Sequence, residues 1–348
     1  MLVKKERIPV VHILLIGLLP SFLKILIYRI KGYKIGKGVS ISLGAVVMGR
    51  DVKIGDYVKI GFFTIIRGSS ITINRLVKIG SMTVIDTEKI FIDEEARINE
   101  QVYIGGMKTP KSEIRMGKRT IIMQLSSLNP TLPIIIGDDS GIGGHCLLFT
   151  HGSWNDQLEG FPVKFAPITL GEKVWLPWRV FVMPGVTIGD NVVIGADSLI
   201  TSDIPANSLA AGNPAKVLKQ NYPVVPSDNQ KEEMIRNVLD DFFEFLIYNG
   251  FTINKNTSAK QLNVTIAKDG TTSELALVQN VSDIPSPVHK DNVLILFSAN
   301  PVEIKSCLQK NWKMILAPGS RLRLGHSSAG EEMAAFFSRY GTRFERLD

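Results

Sequence analysis

Residues 188–199 read IGDNVVIGADSL, an aliphatic residue followed by glycine and repeated after six positions. The pair recurs in IGKGVS at 35, IGDYVK at 54, IGFFTI at 60, IGSMTV at 79 and IGGHCL at 142. Degenerate copies stand at 92 (IDEEAR), 98 (INEQVY) and 136 (IGDDSG). A fixed short period marks a repeat architecture, in which no unit buries its apolar face until the next stacks on it. Six residues make one short strand and a tight corner, so three hexapeptides close one triangular coil of a parallel β-helix. The aliphatic residue is expected to point inward, as is a small or β-branched residue two positions before it. The glycine is expected to take a corner conformation that a side chain would clash with.

Composition sets outer bounds. With 348 residues, 45% hydrophobic and 21% charged, the chain has room for two domains with ordinary cores. Two cysteines, Cys146 and Cys307, are too few and too far apart for a disulfide framework and point to a reducing, cytoplasmic compartment. Of the net charge of +7, residues 1–34 hold most: Lys4, Lys5, Arg7, Lys24, Arg29, Lys31 and Lys34 stand against Glu6 alone. These cations flank the apolar run IPVVHILLIGLLPSFLKILIYRI at 8–30 rather than line a groove with stacking aromatics, which argues against nucleic acid as a partner. The run has no small-x-small cleavage site. A spanning helix needs about 20 apolar residues, and His12, Pro20, Lys24 and Arg29 interrupt this one. Two expectations follow for residues 1–34: peripheral docking at the cytoplasmic face of a membrane, or packing against protein.

From 35 to 219, and most densely in PITLGEKVWLPWRVFVMPGVTIGDNVVIGADSLITSDIPANSLAAGNPAKVLK at 167–219, the chain resembles the hexapeptide-repeat, left-handed β-helix O-acetyltransferases of the galactoside, maltose and nodulation type. The resemblance implies a mainly β, left-handed parallel β-helix and a homotrimer with active sites between neighbouring subunits. It also implies acetyl-CoA (acyl-CoA) as cosubstrate with no permanently bound cofactor. The activity implied is O-acylation of a carbohydrate hydroxyl, with a place in cell-surface polysaccharide biosynthesis. Two other classes share such a scaffold: a non-catalytic trimer, and a metal-dependent hydratase like γ-type carbonic anhydrase.

The stretch HCLLFTHGSWND at 145–156 bears on that choice. A zinc site needs three or four converging ligands. His145 and His151 would fall on adjacent faces, five residues separate them where the hydratase pattern has four, and no histidine lies between His12 and His145. Cys146 stands two residues before Leu148, on the inward small position, where a buried structural thiol is expected and not a nucleophile. His145 then alternates outward. His151 comes where the repeat breaks, and hexapeptides resume only at Pro167 and Ile168. A loop of that length in a regular solenoid signals function. In the resembling enzymes the catalytic histidine stands just there, so the resemblance assigns His151 as catalytic base and no metal; a backbone carbonyl, Asp156 or Glu159 would orient the ring.

The resemblance also carries over donor contacts. Trp175 matches a tryptophan beside the thioester end of pantetheine, Ala196 an alanine whose amide binds the pantetheine arm, and Thr201 a threonine near the nucleotide. Lys216 and Lys219 match basic positions near the CoA phosphates. Pro177 and Trp178 depart from the Gly-plus-small pattern, and Ser202 stands where a lysine often follows the threonine. Residues 221–230 read as a Pro-rich linker. Residues 231–348 read as a small α/β domain outside the resemblance. Its helix over 231–250 is expected to bury Met234, Val238, Phe242 and Phe245, and strands are expected in NVTIAK, ELALVQ, NVLILFS and KMILAP ahead of a closing helix.

Overall fold

The structure, a computed structural model, describes residues 9–152, 155–257, 261–278, 283–308 and 310–347. The chain divides into two compact units, Met1–Val224 and Val225–Asp348.

In the first unit three sheets of eight, ten and eight strands share the turns of one coil, each strand pairing in parallel with its equivalent one coil later. Equivalent positions lie nineteen residues apart over the early coils, as in Lys53 opposite Thr72. Three aliphatic ladders run up the inside. The first face carries Ile54, Ile73, Ile92, Met116, Ile136, Leu170 and Ile188 in register. The second carries Ile60, Ile79, Ile98, Ile122 and Ile142, and the third Ile66, Ile85, Ile104, Leu128 and Leu148. All are buried, and each such side chain contributes about 1.5–3 kcal/mol by leaving water. The inward positions two residues earlier hold small or β-branched residues, as the hexapeptide predicts: Ile71, Ile90 and Ile114 on the first face, Ala96 and Ser140 on the second, Thr64 and Ser126 on the third. Buried hydroxyls there are satisfied by the next coil: Ser126 Oγ donates to Gly143 O at 2.8 Å and accepts from Cys146 N at 3.1 Å. Ser140 Oγ likewise donates to Gly171 O and accepts from Val174 N, each at 2.9 Å.

The corner glycine needs correcting in one respect. Gly80 is not in the left-handed region; what forbids a side chain is the next coil, since a Cβ would lie 2.5 Å from the backbone of Asn99 and Glu100. The left-handed conformation falls two residues later, on side chains: Tyr57 (φ 59°), Met82 (φ 55°), Leu125 (φ 62°) and His145 (φ 58°). Packing, not φ, fixes the glycine.

The lower end of the β-helix is closed by a helical segment, Val10–Gly17, and a helix, Ser21–Ile30, bent by 112° from one another. Side chains of the second helix, and Tyr33 just after it, satisfy the unpaired edge of the first coil. Ser21 Oγ accepts from Ile41 N (3.0 Å), Tyr28 Oη from Val47 N (2.9 Å) and Tyr33 Oη from Gly49 N (3.1 Å). Gly17 O accepts from Gly44 N at 2.6 Å. Lys24, fully buried, donates to Ser42 O at 2.6 Å and Ala45 O at 3.1 Å. Burial lowers its pKa to about 8. An open sheet edge invites association, and here the helices cover it. The upper end closes with Ala215–Gln220, which turns back antiparallel on Ser208–Gly212.

The second unit holds a seven-stranded sheet in sequential order, antiparallel over its first three strands and mixed thereafter. Asp228–Tyr248 and Ser328–Phe337 cover one face, and Pro301–Leu308 packs with the other. The long helix starts three residues before the expected Lys231, because Ser227 and Gln230 form a capping box. Its buried stripe is Ile235, Leu239, Phe242, Phe243 and Leu246; Met234 is exposed. The run is apolar over so wide an arc that its phase is settled only by the sheet.

Candidate functional site

The third face ends at Phe149, and the chain leaves the coil. Thr150 ties the exit down: its Oγ1 donates to Asn129 O at 2.7 Å and accepts from Leu132 N at 3.0 Å. Return is fixed by Ala166 N to Thr150 O and Ile168 N to Pro133 O, both 3.0 Å. Between these anchors His151–Gly152 pairs antiparallel with Lys164–Phe165, so His151 faces Phe165 across a two-stranded projection. The two rings stack at 5.5 Å with 15° between their planes. Ser153 and Trp154 of the loop lie outside the described residues.

His151 is half-buried, and its Nδ1 is enclosed without a hydrogen-bond partner among the described residues. Asp156 is committed elsewhere, accepting from Leu158 N at 2.8 Å as the cap of a short turn. Neither Asp156 nor Glu159 fills that valence.

The other histidine and the cysteine separate cleanly from it. His145 is exposed at a left-handed corner, its ring 6.1 Å from that of Trp178. Cys146 is fully buried; its Sγ donates to Pro177 O at 2.9 Å, the role that serine plays in the coils below. Burial pushes the thiol up to about 11, which removes it as a nucleophile near neutral pH. Among the described residues no three His, Cys, Asp or Glu side chains are placed to hold a metal ion.

The residues that the resemblance assigns to the donor are distributed over the upper coils. Trp175 lies half-buried on the second face, over Gly141, where a Cβ would meet its ring at 2.6 Å. Trp178 covers Gly144 in the same way and is 44% exposed. Ala196 is exposed on the next coil of that corner, beside Asp197, which accepts bidentately from Arg179 at 2.5 and 2.6 Å. Lys216 and Lys219 extend, exposed, from the antiparallel strand that closes the second face. Thr201 and Ser202 lie elsewhere. They follow Leu199–Ile200 on the third face and so stand on the His151 corner, two coils on, about 10 Å higher at the spacing of paired strands. One chain therefore sets His151 and Thr201 at one corner and Trp178 and Ala196 at another, with the width of the third face between them. Pro177, which has no N–H, leaves the coil contact to its carbonyl and to Gly143 N, which donates to Leu176 O at 2.6 Å.

Parallel three-faced coils, inward aliphatics and a lone histidine at the one long break define a left-handed β-helix of the hexapeptide-repeat class. No family model matches the chain. It is 45% identical over 92 residues to "Putative acetyltransferase SACOL2570" of Staphylococcus aureus (strain COL), covering 26% of this chain and 43% of that protein. It is also 45% identical over 87 residues to "Putative colanic acid biosynthesis acetyltransferase WcaF" of Escherichia coli (strain K12), covering 25% and 47%. The chain thus spans under half the length of these curated relatives. A solved structure, that of the polySia specific acetyltransferase NeuO, aligns at 22% identity over 56% of this chain and 82% of that one, with a TM-score of 0.35. Over about 90 residues the β-helical unit is thus similar in sequence to proteins named as acetyltransferases.

Proposed function

We propose that this protein transfers an acetyl group from acetyl-CoA to a carbohydrate hydroxyl, with His151 as general base and cell-surface polysaccharide biosynthesis as the setting. The enclosed, unpaired Nδ1 of His151 carries the reading. A histidine serving structure alone would have that nitrogen paired, whereas a base in a site completed by substrates or a second copy keeps a valence unfilled until they arrive. Neutral imidazole takes the hydroxyl proton as oxygen attacks the thioester carbonyl. Backbone N–H groups are suited to hold the resulting oxyanion, and the imidazolium returns its proton to the departing CoA thiolate. The balance needs neither a metal nor an acyl-enzyme.

The split of the residues between two corners supports a homotrimer, with the Ala196 corner of one copy facing the His151 corner of the next. Lys216 and Lys219 would then meet the CoA phosphates as point charges. The relatives' names support the saccharide class of acceptor, one of them being named for colanic acid biosynthesis. The test is release of CoA thiol with candidate saccharide acceptors. Loss of a general base costs about 10²–10⁴-fold in rate, so His151→Ala should fall by that factor; undiminished turnover would remove His151 from the role.

A further inference from the structure

We propose that the lower end of the β-helix is a docking face for a bilayer containing anionic lipid. The helices that close the first coil spend only one side on it. Gly17, Lys24 and Tyr28 face inward, while Val10, Val11, Leu14, Leu15 and Leu18 face out along the first segment. Phe22, Leu26 and Ile30 continue the stripe along the second, four residues apart, with Leu15 69%, Phe22 68% and Ile30 78% exposed. The stripe is therefore on the side away from the coils, at the end of the rod.

Its shape fits a surface and not a span. No single helix among the described residues is long and apolar enough to cross a membrane. The two arms are about 12 and 15 Å long at 1.5 Å per residue, against a hydrocarbon core of about 30 Å. Both are also pinned to the first coil by the hydrogen bonds of Ser21, Tyr28 and Gly17. An apolar stripe held in a plane buries itself at the headgroup boundary.

Charge selects the occupant. Lys4, Lys5 and Arg7 precede the stripe in sequence, and Arg29, Lys31 and Lys34 cluster at its far end, exposed, with Glu6 the only acid in the first 34 residues. A second copy of this face would set those cations against their equals, whereas anionic headgroups are attracted to each of them. His151 belongs to the sixth coil of the third face, so it would stand roughly 24 Å above the first coil at the strand spacing, with the docking helices below that coil. Resting on the acyltransferase reading, this makes the acceptor a saccharide carried on a lipid and extended well clear of the bilayer, not a headgroup.

Flotation of the full-length protein tests the face. It should rise with phosphatidylcholine vesicles holding 30 mol% phosphatidylglycerol and stay largely behind with phosphatidylcholine alone. The bound fraction should fall on the order of tenfold in the Leu15→Glu/Phe22→Glu double variant and several-fold in Lys31→Glu/Lys34→Glu, each with the wild-type thermal melt. Protein that stays in the soluble fraction with the anionic vesicles overturns the proposal, as do variants that float like wild type. So would sedimentation equilibrium in which Leu15→Glu/Phe22→Glu dissociates an assembly, since a second copy would then own the face. His151→Ala should float as wild type does, so failure of the docking and failure of the catalytic reading are separate results.

Discussion

Gly80 and Met82 sit two residues apart in one corner, and exchanging their requirements separates packing from backbone strain. An alanine Cβ at Gly80 would lie 2.5 Å from Asn99 C and Glu100 N, where ordinary contact begins at 3.4 Å, so the coils must part by nearly an ångström. Neither side is free to give. Gly80 N donates to Ile98 O and Met82 N to Phe62 O, both at 2.7 Å, and Thr64 Oγ1 donates to Gly80 O at 2.7 Å. Overpacking costs about 1–3 kcal/mol and each weakened hydrogen bond about 1 kcal/mol, giving roughly 3–5 kcal/mol for Gly80→Ala. Met82→Gly runs the other way. It relieves about 1–2 kcal/mol of left-handed strain and returns about 0.5–1 kcal/mol as backbone entropy. The side chain is 54% exposed, so little burial is lost. The net should lie between zero and about 1 kcal/mol of stabilisation. Urea unfolding followed by far-UV circular dichroism reads both. A Gly80→Ala protein as stable as wild type, or a Met82→Gly protein clearly weakened, would refute the packing account.

Lys216→Ala/Lys219→Ala should raise KM for acetyl-CoA on the order of tenfold with kcat little changed, and the effect should shrink as salt screens the phosphates; an unchanged KM would remove both lysines from the donor site. Cys146 should resist a thiol reagent at pH 8 until the protein unfolds, because burial holds its pKa about 11, and Cys146→Ser should keep the coil bond to Pro177; rapid native labelling would contradict this. Lys24 has a folded pKa of about 8, below its ordinary 10.5. Its burial therefore opposes folding below pH 8, and that penalty is withdrawn as pH rises from 8 to 10.5, where only the unfolded chain keeps the proton. Wild type should gain up to about 3 kcal/mol on Lys24→Met across that window in denaturant titrations, and a flat difference would show that Ser42 O and Ala45 O already offset the charge.

The aliphatic ladders were legible because a residue's inward or outward direction follows from its place in six. What could not be read is whatever depends on the coil above or below. The left-handed corners carry Tyr57, Met82 and His145, side chains with no sequence mark of that conformation. Lys24 looks like an interruption of an apolar run, yet it is buried, since its acceptors lie 18 and 21 residues away. The separation of His151 from Ala196 needed the number of corners between them, which the loop after Thr150 conceals. The capping box at Ser227 and Gln230 was local, and so open to sequence reading in SDNQ. Cys146, by contrast, was placed correctly from the period alone.

The β-helix makes height a matter of counting. Early coils add nineteen residues each, as from Lys53 to Thr72, and each lifts the chain by one strand spacing. Where the count runs over, twenty-four residues from Lys89 to Glu113 and thirty-four from Ile134 to Ile168, the surplus leaves sideways at the same corner while the ladders continue in register. Sequence length is thus sorted into two currents, whole coils that raise everything above them and extrusions that raise nothing. Excising the coil from Gly55 to Ile73 should bring His151 about 4.8 Å nearer the base without touching its loop, so this architecture allows reach and chemistry to be changed one at a time.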